Sequence, residues 1–420
     1  MSSSEFGKKI SKLAKPELLK KLWKWHREDR FANQAWLKKA NHYYAMRAGD
    51  QWTEQEKYIL EKEGRPDMVF NIINSTVELI NGVNLQNPIS IYPSPAEESD
   101  QFLCDILRDT TDNIEEQTDS ITEEDEAFDD MVVTGRGYVT IDVAPDPERP
   151  SEIIITETAL PVHEVLLDSN ARRNDLKDAS RITHEKWINV DDFIIAYPKF
   201  ANRVEEIFSG EASVDAMSSI AGDEHGVYNY DDDSEDTSDY SQELDTNYYD
   251  RTSRQVRLIK TEFWESYERY YGFNPFTGQV EEFDAAQLKQ IQSKIPNFEY
   301  EKIWDKRVMW AHWIKDEILY IGESPINYRG FSIVPCFGYK NKSGKSVTHF
   351  AIGKLMNDPQ REINKRWSQA LNRLVNDGQG VMATLDAFED AVQAQNSWND
   401  PRVITWVCLL YTSPSPRDLS

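Results

Sequence analysis

The stretch from Tyr43 to Pro93 reads YYAMRAGDQWTEQEKYILEKEGRPDMVFNIINSTVELINGVNLQNPISIYP. A Gly-Asp-Gln-Trp turn at residues 49–52 precedes a charged helix, and a Gly-Arg-Pro break follows at residues 64–66. After this break, apolar residues recur at helical spacing and predict a helix over 67–86. No pair of side chains in the stretch is placed as catalytic groups would be, so the stretch indicates a structural role and not catalysis.

Composition limits the class of protein. The 420 residues are 39% hydrophobic and include 12 Trp, 19 Tyr and 17 Phe, which predicts a folded chain of two or three domains. The net charge of −26 argues against a protein that binds a phosphate backbone tightly. It is compatible with a channel surface that repels DNA and lets it slide. The sequence contains no apolar run long enough for a membrane span. Its three cysteines lie far apart, without metal spacing, which is typical of a reduced, intracellular setting.

Residues 1–30 form a basic amphipathic segment. Lysines and arginines alternate with apolar residues from Lys8 onward, and Pro16 predicts the start of its helix. Such a helix can pack on its own domain, or it can contact DNA, a membrane or a neighbouring subunit. The first of these alternatives is the one that we favour.

Residues 100–134 predict a second long helix. It ends at Gly135-Arg136-Gly137, after which apolar residues alternate with polar ones, so glycine is predicted to act as a hinge between helix and strand. A further helix is predicted over 191–209.

The second half of the chain begins with aromatic β strands. Two apolar runs separated by Lys315-Asp316-Glu317 predict a hairpin. A long helix is predicted over 348–375, and Pro359 inside it predicts a break or kink near Asn357-Asp358. Its predicted apolar stripe consists of Leu355, Met356, Ile363, Trp367, Leu371 and Leu374.

The segment 211–250 differs from the rest of the chain in charge. It contains thirteen Asp or Glu and no Lys or Arg, which is half of the net charge. A block this acidic repels itself and predicts a disordered insertion, which we assign to residues 211–255. The adjacent acids at 231–233 lack the glycine turns of a calcium loop, so no metal site is predicted there.

Two other stretches are near-misses to ligand-binding motifs. Gly338–Ser346 reads GYKNKSGKS, but five residues separate its glycines where a phosphate-binding loop has four, and no helix is predicted to follow. Asp168–Asp178 begins like a metal loop, yet Arg172 occupies a ligand position, so its carboxylates are expected to cap turns and to pair with Arg172, Arg173 and Lys177. We therefore expect no enzyme activity, no cofactor and no metal.

Several of these blocks, in the same order, resemble the portal proteins of tailed phages, specifically the P22-like family. They are the turn at 49–52, the helix after Gly64, the hinge at 135–137, the segment 161–178 and the final helix. The positions that carry the likeness are Gly49, Gln51, Trp52, Arg65, Pro66, Asn71, Gly135, Gly137, Gln360, Asn364 and Ser368.

The resemblance implies an α+β fold with a mostly helical wing and stem and a small β-containing clip. The wing would span 31–210, the clip-like region 256–345, and the stem helix with the tunnel-loop region 346–407. The family's crown and barrel would follow after that. Residues 408–420 begin CLLYTSPSPRD, similar to a translated sequencing adapter, so we expect them to be a non-native tail.

The resemblance also implies a function, that of a head-to-tail connector. Twelve copies would form a ring at one capsid vertex, assembled in the host cytoplasm, through which double-stranded DNA is packaged and later ejected. Its partners would be the terminase large subunit, head-completion and tail factors, and the major capsid and scaffolding proteins. The alternatives are another virion ring such as a head–tail adaptor, or a packaging ATPase.

The resemblance places the final helix along the channel. The DNA-channel candidates are Lys354, Arg361, Lys365, Arg366 and Arg373. These cations would either make weak contacts with phosphates or pair with acids on the neighbouring subunit.

Overall fold

The structure of the chain is a computed structural model. It describes residues 10, 13–87, 92–95, 97, 100–145, 149, 153–209, 248–250, 252–274, 279–283, 287–288, 290–291, 298–326, 328–343 and 346–376. The predicted acidic insertion, the predicted tunnel-loop region and the predicted non-native tail lie wholly or largely outside these ranges.

Helices and antiparallel sheets are both abundant, which confirms the predicted α+β class. The longer helices are α1 (Lys15–Ala48), α2 (Glu54–Lys62), α3 (Ile72–Gln86), α4 (Gln101–Thr118), α5 (Ser120–Thr134), α6 (Val190–Ala196), α7 (Ala201–Ser209) and α8 (Ile352–Asn376). Within the described ranges, none of the helices combines the length and the apolar character needed to cross a bilayer.

The strands are β1 (Arg136–Pro145), β2 (Ile153–Leu160), β3 (Val165–Leu167), β4 (Arg181–Asn189), β5 (Tyr249–Asp250), β6 (Gln255–Asn274), β7 (Gln279–Phe283), β8 (Tyr300–Trp313), β9 (Ile318–Glu323), β10 (Ile333–Phe337), β11 (Tyr339–Ser343) and β12 (Ser346–Phe350). The chain divides into two compact units. The larger unit comprises Met1–Tyr44 and Val77–Gly353, and the smaller unit comprises Ala45–Thr76 and Lys354–Ser420.

The main sheet of the larger unit has the strand order β3-β4-β6-β8-β9, with β5 and β7 paired to β6. Strand β4 pairs antiparallel with β6 from Arg181 opposite Phe263 to Asn189 opposite Gln255. One sheet therefore unites strands that precede the acidic segment with strands that follow it. The predicted hairpin is confirmed, because β8 pairs with β9 and Ile314 donates its backbone N–H to Glu317.

A smaller sheet, in the order β10-β1-β2, and the hairpin β11-β12 complete the strands of the larger unit. Helix α5 ends at Thr134, and Gly135 follows in the left-handed region with φ of 96°. Strand β1 begins at the next residue. The predicted glycine hinge is therefore confirmed.

Helix α1 packs on the core of its own unit. Leu18 and Leu22 are buried in the same cluster as Phe193 and Trp313, and the indole N–H of Trp23 donates to the Lys315 carbonyl at 3.0 Å. The described part of the basic N-terminal segment thus follows the first alternative that we named. The helix also continues without a break across residue 30, the predicted end of that segment.

Two predicted helices are each divided in two. The helix over 100–134 breaks at Asp119, which adopts the left-handed conformation with φ of 51° and caps the C-terminus of α4. The helix over 191–209 is interrupted after Tyr197, where Pro198 begins a single 3-10 turn. Proline cannot donate a helical hydrogen bond, which explains the second break.

The two ends of the acidic segment lie close together. Helix α7 precedes it, and the last two residues of the segment form β5. The rings of Phe208 and Tyr249 contact each other edge to face, with centroids 6.2 Å apart. Both residues belong to the core of the larger unit or pack against it.

Candidate functional site on helix 352–376

Helix α8 is one continuous element that begins at Ile352 and includes Pro359. The helix is therefore not broken near Asn357-Asp358, which was one of the two predicted outcomes. The helix also begins four residues later than predicted, because residues 346–350 pair as strand β12. A proline inside a helix removes one backbone hydrogen bond, and α8 continues through Pro359 despite that loss.

The buried side of α8 is polar. Gln360, Asn364 and Ser368 are each exposed by 1% or less, whereas Leu355, Trp367 and Leu374 expose between 48% and 70% of their surface. The apolar stripe predicted from sequence is therefore not the buried face. Buried amides are stable only when their donors and acceptors are satisfied, so their partners decide how the helix is held.

Two of these side chains bind an extended segment of the smaller unit. The backbone N–H of Phe70 donates to Oδ1 of Asn364, and that of Ile72 donates to Oε1 of Gln360, each at 3.1 Å. The amide of Gln360 donates in return to the Phe70 carbonyl. Because these contacts hold the backbone extended up to residue 71, α3 begins at Ile72 and not at residue 67 as predicted.

The Gly-Asp-Gln-Trp turn joins the same network. Asn364 donates to Oε1 of Gln51 at 2.6 Å, and Gln51 donates to the Met46 carbonyl at 2.8 Å. Asn71 donates to the Arg47 carbonyl at 2.6 Å. We call Gln51, Asn71, Gln360 and Asn364 the amide cluster.

The structure thus brings several positions of the resemblance together, although they lie about 300 residues apart in sequence. Gly49 has φ of 98°, which the turn requires and which glycine adopts without strain. The indole of Trp52 donates to the Met68 carbonyl at 3.3 Å. Arg65 pairs with Glu63 at 2.7 Å, at the start of the extended segment that contains Pro66.

Two of the five channel candidates are bound by a carboxylate of the smaller unit. Arg361 approaches Oε1 of Glu56 at 2.7 Å and Lys365 approaches it at 3.3 Å. Glu56 also closes a capping box with Thr53 at the start of α2. Burial alone would raise the pKa of Glu56, but the Thr53 N–H and the charge of Arg361 outweigh burial and lower it.

The other three candidates are exposed. Arg366 pairs with Glu362 of its own helix, at 2.6 Å, and three quarters of its side chain is open to solvent. Lys354 and Arg373 are likewise exposed, near the two ends of α8. The structure therefore separates these three cations from the pair that Glu56 holds.

Glu56 is the functional residue that our reading of the sequence missed. The pattern Thr53-x-x-Glu56 before a helix is a recognised capping signal, so its role at the start of α2 was readable. Its contact with cations about 300 residues away has no local signal.

The two hinge glycines are required by packing. A Cβ at Gly135 would lie 2.5 Å from the backbone of Phe350, and a Cβ at Gly137 would lie 1.9 Å from the Ala127 carbonyl oxygen. Both distances are shorter than any real contact. The resemblance at these positions therefore reflects close backbone approach within the larger unit.

The near-miss motifs fold as ordinary structural elements. Strand β11 lies between the two glycines of Gly338–Ser346, and it pairs with β12, which follows the second glycine. A phosphate-binding loop would be followed by a helix at that position and not by a strand. Asp178 accepts from the backbone of Arg172 and Arg173, and Asp175 pairs with Arg173 and Lys177, as predicted. Across the described ranges, no three His, Cys, Asp or Glu side chains group as metal ligands would.

Comparison with known proteins identifies the family. A search of curated proteins gave no significant match. A family model described as phage P22-like portal protein matches residues 23–408, a range that includes the 49–52 turn, the glycine hinge and all of α8. The match covers most of the chain, so the chain belongs to the phage P22-like portal protein family.

Proposed function

We propose that the protein is the subunit of a twelve-membered ring at one vertex of a phage capsid. A terminase would drive double-stranded DNA inward through this ring, and the DNA would leave through it at ejection. Portal proteins are structural components of the virion. Membership of their family is the observation that carries the proposal.

The surface of α8 supports a role along the channel. Its polar side is occupied by the amide cluster, which leaves Lys354, Arg366 and Arg373 exposed. In a chain of net charge −26, a few mobile cations give weak contacts with phosphate while the remaining surface repels DNA. A polymer can then slide past without being held.

The apolar residues of the same helix support assembly. Leu355, Trp367 and Leu374 are exposed in the single chain, and exposed apolar side chains that cluster on one element are typical of contact surfaces. Head-to-tail contacts that close around an axis produce a ring. We assign these side chains to contacts between neighbouring subunits.

The long strands β6 and β8 support docking of partner proteins. Phe273, Tyr300 and Trp304 are exposed near the far ends of these strands, and aromatic residues are enriched in protein interfaces. The terminase large subunit and the head-completion and tail factors are the partners that we propose for this surface. Major capsid and scaffolding proteins would surround the ring during assembly in the host cytoplasm.

Negative-stain imaging of the purified protein tests the proposal. Closed rings of about a dozen copies with an axial hole are expected, because a head-to-tail interface closes at a fixed number. Monomers that hydrolyse ATP would contradict it and favour a packaging enzyme. Small rings that fail to bind terminase in a pull-down would instead favour a head–tail adaptor.

A further inference from the structure

The larger unit contains a cleft that has no part in the channel function proposed above. Helix α1, strands β1 and β3, the loop after β3 and the hairpin β11-β12 border it. Its polar lining includes Asn33, Arg136, Asp168, Ser169, Arg173 and His349. The basic side chains Arg136, Arg173 and His349 outnumber the acid Asp168 in this set.

Arg136 is a buried cation in the wall of this cleft. It is 7% exposed, one of its terminal nitrogens donates to Oδ1 of Asn33 at 2.9 Å, and its guanidinium lies 4.1 Å from the centre of the Trp36 ring. Among the residues that the structure describes, no carboxylate pairs with it, and its Nε has no hydrogen-bond partner. Burying a charge without a counter-ion is costly.

His349 lies in the same wall and is also 7% exposed. Its ring stacks on Phe337 with centroids 4.0 Å apart, and its carbonyl accepts the indole N–H of Trp36 at 3.2 Å. Within the described ranges, neither of its ring nitrogens is hydrogen-bonded. Trp36 therefore contacts both Arg136 and His349. Each of these two side chains has at least one nitrogen atom without a hydrogen-bond partner among the described residues.

The remaining charges leave the cleft receptive to an anion. Asp168 is the acid in the lining, and its two oxygens accept hydrogen bonds from Asn170 and Ser180. Arg173 pairs with Asp175. Burial, followed by the positive charges of Arg136 and Lys340, lowers the pKa of His349 to about 4. Besides burial, these two cations therefore contribute positive potential at the imidazole.

We propose that this cleft binds a small tetrahedral oxyanion of the phosphate class between Arg136 and His349. The anion would accept hydrogen bonds from the guanidinium of Arg136 and from the N–H of the neutral imidazole, and it would neutralise the buried guanidinium. Because Asn33, Trp36 and Phe337 already fix both groups, little ordering is needed on binding. The inference does not depend on the proposed function. Free phosphate and a phosphate of the DNA backbone share this chemistry.

Thermal unfolding and calorimetry of the whole protein in sodium phosphate test the site, with sodium chloride at matched ionic strength as the reference. A saturable rise in Tm is expected for the native protein, because a ligand that binds only the folded state stabilises it. His349→Phe keeps the stacking on Phe337 but removes both nitrogens, and it should lose the response. His163→Gln, at an exposed histidine of the same unit, should keep it.

A second variant guards against misfolding of the first. Val347 also lines the cleft, and Val347→Asp supplies a built-in carboxylate that should abolish the phosphate response while Tm is kept. Repeating the assay with a short DNA duplex distinguishes the two sources of phosphate. A response to either ligand that His349→Phe removes supports the site. An equal response in the native protein and in both cleft variants, or no saturable response to either ligand, overturns it.

The affinity for sulfate, which stays a dianion over this range, gives an independent readout. A bound anion raises the pKa of His349, so the affinity should increase as pH falls from 7 toward 5. The other charged groups around the site are Arg136, Lys340, Arg173 and Asp168. Burial alone would raise the pKa of Asp168, but hydrogen bonds from Ser180 and Asn170 outweigh burial and lower it. A flat pH profile in the native protein would contradict the role of the imidazole.

Discussion

The side-chain amide of Asn364 donates a hydrogen bond to Oε1 of Gln51 at 2.6 Å, across 313 positions of the sequence. This bond joins the Gly-Asp-Gln-Trp turn to the middle of α8. Because the oxygen of Asn364 also accepts the backbone N–H of Phe70, one side chain fixes two separate segments of the smaller unit. Removing it should therefore affect the whole unit.

Replacing Asn364 by leucine should lower the free energy of unfolding by about 2–4 kcal/mol, because a buried acceptor on Gln51 and a partly buried donor on Phe70 are left without partners. Urea denaturation measures this change. The control is Gln369→Leu at an exposed position of the same helix, where a change within about 0.5 kcal/mol is expected. Equal effects of the two substitutions would refute a structural role for the amide cluster.

Glu56→Gln tests how much the negative charge of Glu56, which pairs with Arg361 and Lys365, contributes to the free energy of unfolding. Glutamine can still complete the capping box, so the expected loss at pH 7 is only about 0.5–1 kcal/mol. The folded pKa of Glu56 lies below its ordinary value of 4.5. Its contribution is therefore complete above that value and is lost as pH falls through the folded pKa.

The stability of native protein and Glu56→Gln should consequently converge in acid. Denaturant titrations between pH 7 and pH 3 check this. Glu61→Gln, at an exposed position of the same helix, serves as the control and should differ little from the native protein at every pH. A constant gap between Glu56→Gln and the native protein down to pH 3 would show that the ion pairs contribute nothing.

Gly135→Ala should destabilise the larger unit by about 3 kcal/mol or more, because the left-handed conformation and the clash with Phe350 both oppose a Cβ. Gly82→Ala offers a matched comparison, since a Cβ there meets nothing within 4 Å. This second change lies inside α3 and should stabilise the protein by about 0.5–1 kcal/mol. Differential scanning calorimetry of both variants decides the matter. A Tm at or above the native value for Gly135→Ala would contradict the packing argument.

The double variant Arg366→Ala and Arg373→Ala tests the exposed cations of α8. Weak binding of duplex DNA to assembled protein should fall, and its salt dependence should flatten by a slope of about 0.9 for each phosphate that is no longer neutralised. Stability should be unchanged, because both side chains are exposed. Lys186→Ala, at an exposed site on β4, is the matched control. An identical salt slope in both proteins would remove these cations from the channel.

Leu374→Glu tests the role of the exposed apolar residues in assembly. Leu374 is 70% exposed in the single chain, so the substitution should leave the fold intact while it weakens the association of copies. Sedimentation velocity should show a shift from rings toward monomers. Gln369→Glu adds the same charge at another exposed position of the helix and should shift the distribution less. Unchanged rings for Leu374→Glu would place the subunit interface elsewhere.

Local signals in the sequence predicted several elements correctly. Gly135 marked the hinge because its φ is positive, and residues 315–317 marked the hairpin because the flanking strands share one pattern. The start of α3 was mispredicted because amides from α8 hold residues before Ile72 extended. That interaction has no trace in residues 67–71 themselves.

The buried face of α8 does not coincide with its apolar stripe, for a related reason. A helical stripe of apolar residues normally faces the core, yet the partners available in the smaller unit are backbone groups and amides, which select Gln360 and Asn364 instead. Likewise, the pairing of β4 with β6 bridges a long acidic segment, and no periodicity within either strand encodes that pairing.

The contact between Phe208 and Tyr249 has a consequence for how the gene can change. Since the chain leaves the core at α7 and returns to it beside the same helix, the span that the 38 positions in between (210–247) must bridge stays short whatever their number. The entropy of closing such a loop varies only slowly with its length. The number of acidic residues in this segment can therefore change during evolution without a change in the fold of the larger unit.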